Sequence, residues 1–134
     1  MTSFPLKIVS PDGMEYEGTA EEVIVRTTTG DMGILAGHIN YVTALGMGPA
    51  KVITEDGERT AACIGGMLAV TNGDVKVVAT TFEWADEIDV DRAHRSIARA
   101  EGMLADPNKD AQTIQYANAR IKRAKVRLGV AEKK

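Results

Sequence analysis

The sequence predicts a β + α protein: an N-terminal flattened β-sandwich or barrel, residues 1–86, followed by a C-terminal antiparallel two-helix hairpin, residues 87–134. In the first part, short runs rich in Val, Ile and Thr alternate with glycine-containing turn pairs, a pattern typical of all-β domains. After Ile88 the spacing of apolar residues changes from about two to about 3.6, which indicates helices. The charge also changes along the chain, from acidic to basic.

Four glycine-containing pairs punctuate the predicted β domain: Asp12-Gly13, Gly30-Asp31, Asp56-Gly57 and Asn72-Gly73. Asp-Gly and Asn-Gly suit type I′ hairpin turns, because both central residues of that turn take positive φ. The runs between these pairs are the predicted strands, which cover residues 6–9, 14–17, 23–28, 51–54, 59–64, 67–70 and 75–79.

Two amphipathic patterns predict the helices. Asp89 is the expected N-cap of the first helix, and Asp106-Pro107-Asn108 interrupts the pattern between the two. Gly129 is the expected end of the second helix. Each helix has one apolar stripe: Ala93, Ile97, Ala100 and Leu104 in the first, and Ile114, Ala117, Ile121, Ala124 and Leu128 in the second.

Alanine makes up about half of this predicted seam between the helices. An alanine buries much less apolar surface than a leucine, whose burial contributes roughly 1.5–3 kcal/mol. The seam therefore allows close approach but binds weakly, which suits a hairpin that docks and undocks. A permanently packed hairpin fits the same composition, and both alternatives stay open.

The net charge of −3 conceals a strong segregation. Residues 1–89 contain 5 Lys or Arg and 14 Asp or Glu, whereas residues 110–134 contain 7 and 2. Such asymmetry indicates two surfaces that meet different partners, or each other.

Several classes of function find no support in the sequence. The longest weakly polar stretch is about ten residues, whereas a membrane-spanning helix needs about 20, so no direct membrane insertion is expected. His38, His94 and Cys63 are too scattered to predict a metal site, and Cys63 is expected to be buried and inert. Neither a nucleophile motif nor a phosphate-binding glycine loop occurs, so no catalytic residues are predicted.

Basic side chains form a row on each predicted helix: Arg92, Arg95 and Arg99 on the first, and Arg120, Lys122, Arg123, Lys125 and Arg127 on the second. A solvated face is the simplest interpretation. The acidic first part and the lack of stacking aromatics disfavour nucleic acid. Two facing arginine rows favour an acidic protein surface or a nucleotide phosphate as the partner.

Three segments, in order, resemble the epsilon subunit family of F-type ATP synthases. Residues 30–38 and 42–45 resemble its G-x-x-G-I-L-x-G-H…L-T-A-L segment, and residues 64–70 and 87–93 resemble two later segments. The resemblance spans essentially the whole chain. It implies a non-catalytic central-stalk rotor subunit that couples proton-driven c-ring rotation to ATP synthesis, peripheral on the cytoplasmic side of the cell membrane.

The family resemblance also implies partners: the gamma subunit, the c-ring, and acidic segments of the catalytic alpha and beta subunits. The glycine-rich segment is expected to lie against the ring, through Gly30, Met32, Gly33, Ile34, Leu35 and His38. The C-terminal helices are expected to inhibit ATP hydrolysis, with Arg120, Lys122, Arg123 and Arg127 meeting the catalytic subunits.

No cofactor is required by this resemblance, but ATP is an expected regulatory ligand. Some bacterial members bind ATP through an I/L-D-x-x-R-A junction and arginines of the second helix. The matching residues are Ile88, Asp89, Arg92, Ala93, Arg123 and Arg127, with Glu83 and Arg99 as weaker matches. Asp89 as an N-cap explains part of this motif without ATP.

Two other functions remain as alternatives at this point. A stand-alone ATP-sensing adaptor would use the same arginines without a rotor partner. A small hydrolase would use His38 and would lose turnover when that histidine is replaced.

Overall fold

A computed structural model describes residues 2–133 and contains seven strands, one 3₁₀ turn and two helices. The strands are β1 (Phe4–Ser10), β2 (Gly13–Ala20), β3 (Glu22–Thr27), β4 (Gly30–Leu35), β5 (Tyr41–Thr54), β6 (Gly57–Thr71) and β7 (Asp74–Trp84). A 3₁₀ turn, Ala85–Glu87, precedes α1 (Val90–Ala105) and α2 (Ala111–Ala131). The predicted class, a β domain followed by a helical pair, is confirmed. The predicted division at residue 86 lies inside the 3₁₀ turn.

All seven strands belong to one hydrogen-bonded sheet in the order β2-β1-β7-β6-β5-β3-β4. β2 and β3 are five positions apart in that order, roughly 24 Å in a flat sheet. Yet only Glu21 separates them along the chain, and such a link spans about 7 Å. The sheet must therefore fold back on itself, and the Glu21 backbone N–H donates to Ile53 O in β5 at 2.7 Å.

The main core lies inside the folded sheet and consists of strand residues only. Its largest fully buried side chains include Leu6, Ile8, Ile34 and Leu68. Across the fold, Trp84 of β7 packs edge-on against Tyr16 of β2 and donates Nε1–H to Glu15 O. The predicted sandwich is therefore built from two layers of one continuous sheet.

Halfway along β6, the set of alternating residues that faces the main core changes from one side of the strand to the other. Ala61 and Cys63 face the main core before the reversal, and Leu68 and Val70 face it afterwards. The pairing of β6 with both neighbours keeps its register throughout, so β5 and β7 reverse at the same level. Gly65 and Gly66 lie at the reversal with φ of +75° and +130°, values that L side chains rarely adopt.

Three strand predictions require correction. The glycine-rich segment 30–35, which lies outside the predicted strands, is strand β4, because it pairs with β3 residue by residue. β5 begins at Tyr41, ten residues before the predicted start, because it pairs with β6 along its whole length. The runs 59–64 and 67–70 belong to one strand, since the glycines between them do not interrupt the ladder.

The turn chemistry is only partly as predicted. Asn72 and Gly73 both have positive φ, as a type I′ turn requires. At the Asp12-Gly13 and Asp56-Gly57 turns only the glycine has positive φ, so these turns are of other types.

The helices begin at matched caps. The Asp89 carboxylate accepts the Arg92 backbone N–H at 3.0 Å, and the Asp110 carboxylate accepts that of Thr113 at 2.7 Å. The Asp89 N-cap was predicted, and is confirmed. Gly129 does not end α2, which continues to Ala131; that prediction is wrong, because buried Val130 and Ala131 hold the last turn against the sheet. No helix within residues 2–133 is long and apolar enough to cross a membrane.

Alanines form the most buried part of the helix–helix seam. Ala93, Ala100, Ala117 and Ala124 are buried, whereas the larger stripe residues are only half-buried. The hairpin meets the sheet through a second, small cluster: Ala62, Ala85, Ile88, Val130 and Ala131, with Val126 packed against it. The hairpin is thus attached by a few small side chains, while the main core is complete without it.

Replacing Gly66 tests the reversal. A Cβ at Gly66 would lie 2.2 Å from the Val78 carbonyl oxygen, whereas a Cβ at Gly57, with a nearly equal φ of +128°, meets nothing within 4 Å. Backbone strain in Gly57→Ala should reduce the free energy of unfolding by about 1–3 kcal/mol. Gly66→Ala should lose about 1–3 kcal/mol more because of the clash. Urea denaturation measures both, and equal losses would contradict the role assigned to Gly66.

Candidate anion-binding cleft

A cleft of about 900 Å³ opens between the sheet and the helical hairpin. This volume lies within the usual range for small-molecule sites. Three parts of the chain contribute: the β1–β2 turn, the end of β7, and the facing sides of both helices. The lining residues are Asp12, Thr81, Glu83, Asp89, Arg92, Ala93, Arg95, Ser96, Arg99, Arg120, Arg123 and Arg127.

Helical periodicity places the arginines. Arg92, Arg95 and Arg99 follow the spacing i, i+3, i+7 in α1, and the α2 arginines repeat that spacing. Because the helices are antiparallel neighbours, the two rows face the same cleft. On the sheet, strand alternation directs Thr81 and Glu83 of β7 away from the main core and toward the helices.

Two arginines of α2 are held by specific partners. Arg127 Nε lies 2.5 Å from Glu83 Oε1, and both side chains are about one-third exposed or less. Arg120 donates Nε–H to Ser96 Oγ at 2.7 Å and Nη1–H to the Tyr116 hydroxyl at 3.0 Å. One contact ties α2 to the sheet, and the other ties α2 to α1.

The cleft carries a surplus of positive charge, with six arginines against three carboxylates. One carboxylate, Glu83, pairs with Arg127, and Asp89 caps α1. The side chains of the remaining four arginines, Arg92, Arg95, Arg99 and Arg123, make no hydrogen bond or ion pair within residues 2–133. Guanidinium groups that outnumber the carboxylates around them suit a multivalent anion.

The structure brings together seven of the eight residues predicted for nucleotide binding: Glu83, Asp89, Arg92, Ala93, Arg99, Arg123 and Arg127. Ile88 does not line the cleft, because its side chain is buried in the small cluster below α2. Their binding role remains a prediction.

Other lining residues were absent from that prediction. Arg95 belongs to the arginine row that the spacing indicates, and Arg120 had been expected to meet a protein partner instead. Ser96 carried no signal, since a serine within a helix is usually a solvated surface residue. Asp12 lies in the β1–β2 turn, far from the helices in sequence. The pairing of β1 with β7 brings this turn to the cleft.

The glycine-rich segment lies at the sheet edge. Ile34 is fully buried in the main core and Met32 packs against it, so Ile34 offers no side-chain surface to a partner. Leu35 and Ile39 are exposed. His38 is half-buried in the following turn, where Nδ1 lies 2.8 Å from Ile39 O. At the start of β4, the Arg26 guanidinium holds the pKa of Asp31 below its usual value through a hydrogen bond.

An apolar row crosses five strands on the side of the sheet away from the main core. Register pairs Ala44 with Met67, Met67 with Val78, Val78 with Val9, and Val9 with Met14. Met14, Met67 and Val78 are each about half exposed, at 54%, 52% and 49%. Contiguous exposed apolar side chains of this kind mark interaction surfaces.

The remaining candidate groups are Cys63 and the possible metal ligands. Cys63 is buried, as predicted, and burial raises the pKa of its thiol to about 11, so the thiol stays protonated at neutral pH. Within the described residues, no group of His, Cys, Asp and Glu could hold a metal ion.

Comparison with known proteins gives consistent matches along the chain. Residues 3–85 match the family described as ATP synthase, Delta/Epsilon chain, beta-sandwich domain, and residues 86–132 match the corresponding long alpha-helix domain. The ATP synthase epsilon chain of Ruminococcus albus is 38% identical over 135 residues, covering 100% of both chains. That of Staphylococcus haemolyticus is 40% identical, again over 100% of both.

Among solved structures, a chain of the Euglena gracilis mitochondrial ATP synthase has a TM-score of 0.84 at 22% identity. The match covers 98% of this chain and 82% of that one. At this identity the likeness concerns the fold.

Proposed function

The chain belongs to the ATP synthase delta/epsilon chain family, and on that premise we propose how its surfaces serve a non-catalytic rotor subunit. The subunit couples rotation of the c-ring to ATP synthesis and sits peripherally on the cytoplasmic side of the cell membrane, held there by its partners. A hydrolase using His38 is not favoured, since the full-length relatives are ATP synthase epsilon chains. The same relatives disfavour a stand-alone adaptor.

The apolar row is the observation that carries the rotor assignment. Its five side chains lie on one face, away from the main core, and three of them are about half exposed. Exposed apolar surface of this kind is stabilised by burial against another protein. We assign the row to the gamma subunit. The exposed edge near Leu35 and Ile39 is assigned to the c-ring.

Introducing charge into the row tests this docking. Met67→Asp and Val78→Asp should each weaken binding to the gamma subunit by about 100-fold or more, because a carboxylate would be desolvated in the interface. Val90→Asp is the matched control, since Val90 is exposed at the start of α1 and outside the row. Co-purification with gamma and surface plasmon resonance measure the effect. Unchanged binding by both row variants would refute the assignment.

ATP is the proposed ligand of the cleft. The unpaired arginines suit the triphosphate, and Asp89 and Ala93 lie where α1 begins beside them. Glu83 is paired with Arg127, so a phosphate must compete with this carboxylate for the guanidinium. Binding across the sheet and both helices would hold the hairpin closed by adding contacts between the helices and the sheet, which otherwise meet through the small cluster and the Arg127–Glu83 pair.

Calorimetry on the isolated full-length chain tests this site. Asp89→Ala and Arg92→Gln should each reduce ATP affinity by about tenfold, the loss of one charge-assisted contact. Asp110→Ala removes the equivalent cap from α2, away from the cleft, and should leave ATP affinity unchanged. If Asp110→Ala weakens binding as much as Asp89→Ala, helix capping rather than ligand contact explains the effect.

The helical hairpin is proposed to restrain ATP hydrolysis in the assembled enzyme. Its alanine seam and small attachment cluster are weak contacts, so the helices can separate from the sheet without disturbing the main core. Once released, Arg120, Lys122, Arg123 and Arg127 become available to acidic segments of the alpha and beta subunits.

Removal of residues 90–134 tests that division of labour. The shortened chain keeps every residue of the main core, so it should fold, join the rotor and support coupling. ATP hydrolysis by the complex should rise several-fold, measured against a complex containing the full chain. Failure of the shortened chain to join the rotor, or hydrolysis equal to that of the full-chain complex, would contradict the proposal.

A further inference from the structure

Arg120 differs from the other arginines of the cleft in being oriented by neutral partners. Ser96 Oγ and the Tyr116 hydroxyl accept two of its hydrogen bonds, at 2.7 and 3.0 Å. A guanidinium has five N–H donors, so three remain available. Because neither partner is charged, the full positive charge of Arg120 also remains uncompensated. The side chain is thus held in place before any ligand arrives.

Arg95 shares this part of the cleft. It lies next to Ser96 in α1 and lines the same cleft as Arg120, and its side chain has no partner within residues 2–133. Ser96 is four residues after Arg92, about 6 Å further along the helix axis. Arg95, Ser96 and Arg120 therefore lie about one helical turn along the cleft from Arg92.

The charge of this region defines the class of ligand. Arginines extend along the cleft from Arg127 to Arg120, seven residues or about 10 Å of helix. A single phosphate can contact only one end of such a row, whereas a linear polyphosphate can contact several guanidinium groups at once. Arginine binds phosphate oxygens through paired N–H donors, which adds geometric selectivity to the charge.

We propose that Arg95, Ser96 and Arg120 form an additional anion subsite that binds the phosphate chain of a polyphosphate ligand. Arg95 and Arg120 contact the phosphates, and Ser96 is a positioning residue that acts through Arg120. The proposal rests on the nucleotide site proposed above, because the two share one cleft. It adds that the phosphate chain alone, without a nucleoside, is enough for binding.

Titration of the full-length chain with inorganic tripolyphosphate tests the subsite. In low-salt buffer with EDTA, one equivalent should bind. Arg95→Gln and Arg120→Gln should each weaken binding by about tenfold. Ser96→Ala keeps every charge but frees Arg120, and should weaken binding by about threefold. The last effect would not follow from net charge alone.

Lys122→Gln is the matched control, because it removes one charge from the exposed side of the same helix, outside the cleft. It should change affinity by about twofold at most. Equal weakening by Lys122→Gln and Arg120→Gln would overturn the subsite in favour of general attraction. If Arg120→Gln lowers the helical circular dichroism signal, Arg120→Lys is the second variant. It keeps the charge but loses the paired donors, so it should still weaken tripolyphosphate binding. Unchanged binding by Arg120→Lys would overturn the proposal.

The two proposals fail in different ways. Binding of ATP but not of tripolyphosphate refutes the additional subsite and leaves the nucleotide site intact. In the opposite case, tripolyphosphate binding depends on Arg95 and Arg120, but ATP affinity is unchanged by Asp89→Ala and by Arg92→Gln. That result supports the subsite and refutes the nucleotide site as assigned.

Discussion

In β5, β6 and β7, the set of residues that faces the main core changes at one level of the sheet. This reversal determines which side chains each part of the outer sheet surface presents. Gly46, Gly65 and Thr80 lie at one level of the sheet, and the main core changes from one set of alternating residues to the other there. On one side of this line the non-core face carries Met67 and Val78, the centre of the apolar row. On the other side it carries residues that support the hairpin and the cleft.

The hairpin is attached weakly, because the side chains that hold it are small, but its position is specified by a few directed polar contacts. Alanines let the two helices approach closely but bury little surface, and only Val126, Val130 and Ala131 of α2 pack in the small cluster on the sheet. Specificity comes from two polar contacts, Arg127 with Glu83 and Arg120 with Ser96. Partly exposed contacts of this kind contribute modestly. On the proposal above, a ligand or partner would shift the hairpin only by the difference between its affinities for the closed and open positions.

The charge of the helices fits both of their proposed partners, a small anion and an acidic protein surface. The hairpin concentrates guanidinium groups on one side, and within residues 2–133 only Arg127 of the cleft arginines has a carboxylate partner. Any arrangement that brings negative charge to such a surface is electrostatically favourable. On the proposals above, polyphosphate in the closed hairpin and acidic protein segments in an open one would use some of the same arginines, so the two binding modes would exclude each other.

By itself, the sequence determined the fold class, the Asp89 cap, the alanine seam and the two arginine rows, because each depends on neighbours within one or two turns of the chain. Long-range pairing decided the rest. Strand β4 and the full length of β5 follow from partners distant in sequence, and Gly129 stays helical because Val130 and Ala131 pack on the sheet. Tertiary packing, which no local pattern encodes, places Asp12 and Ser96 in the cleft and Ile88 outside it.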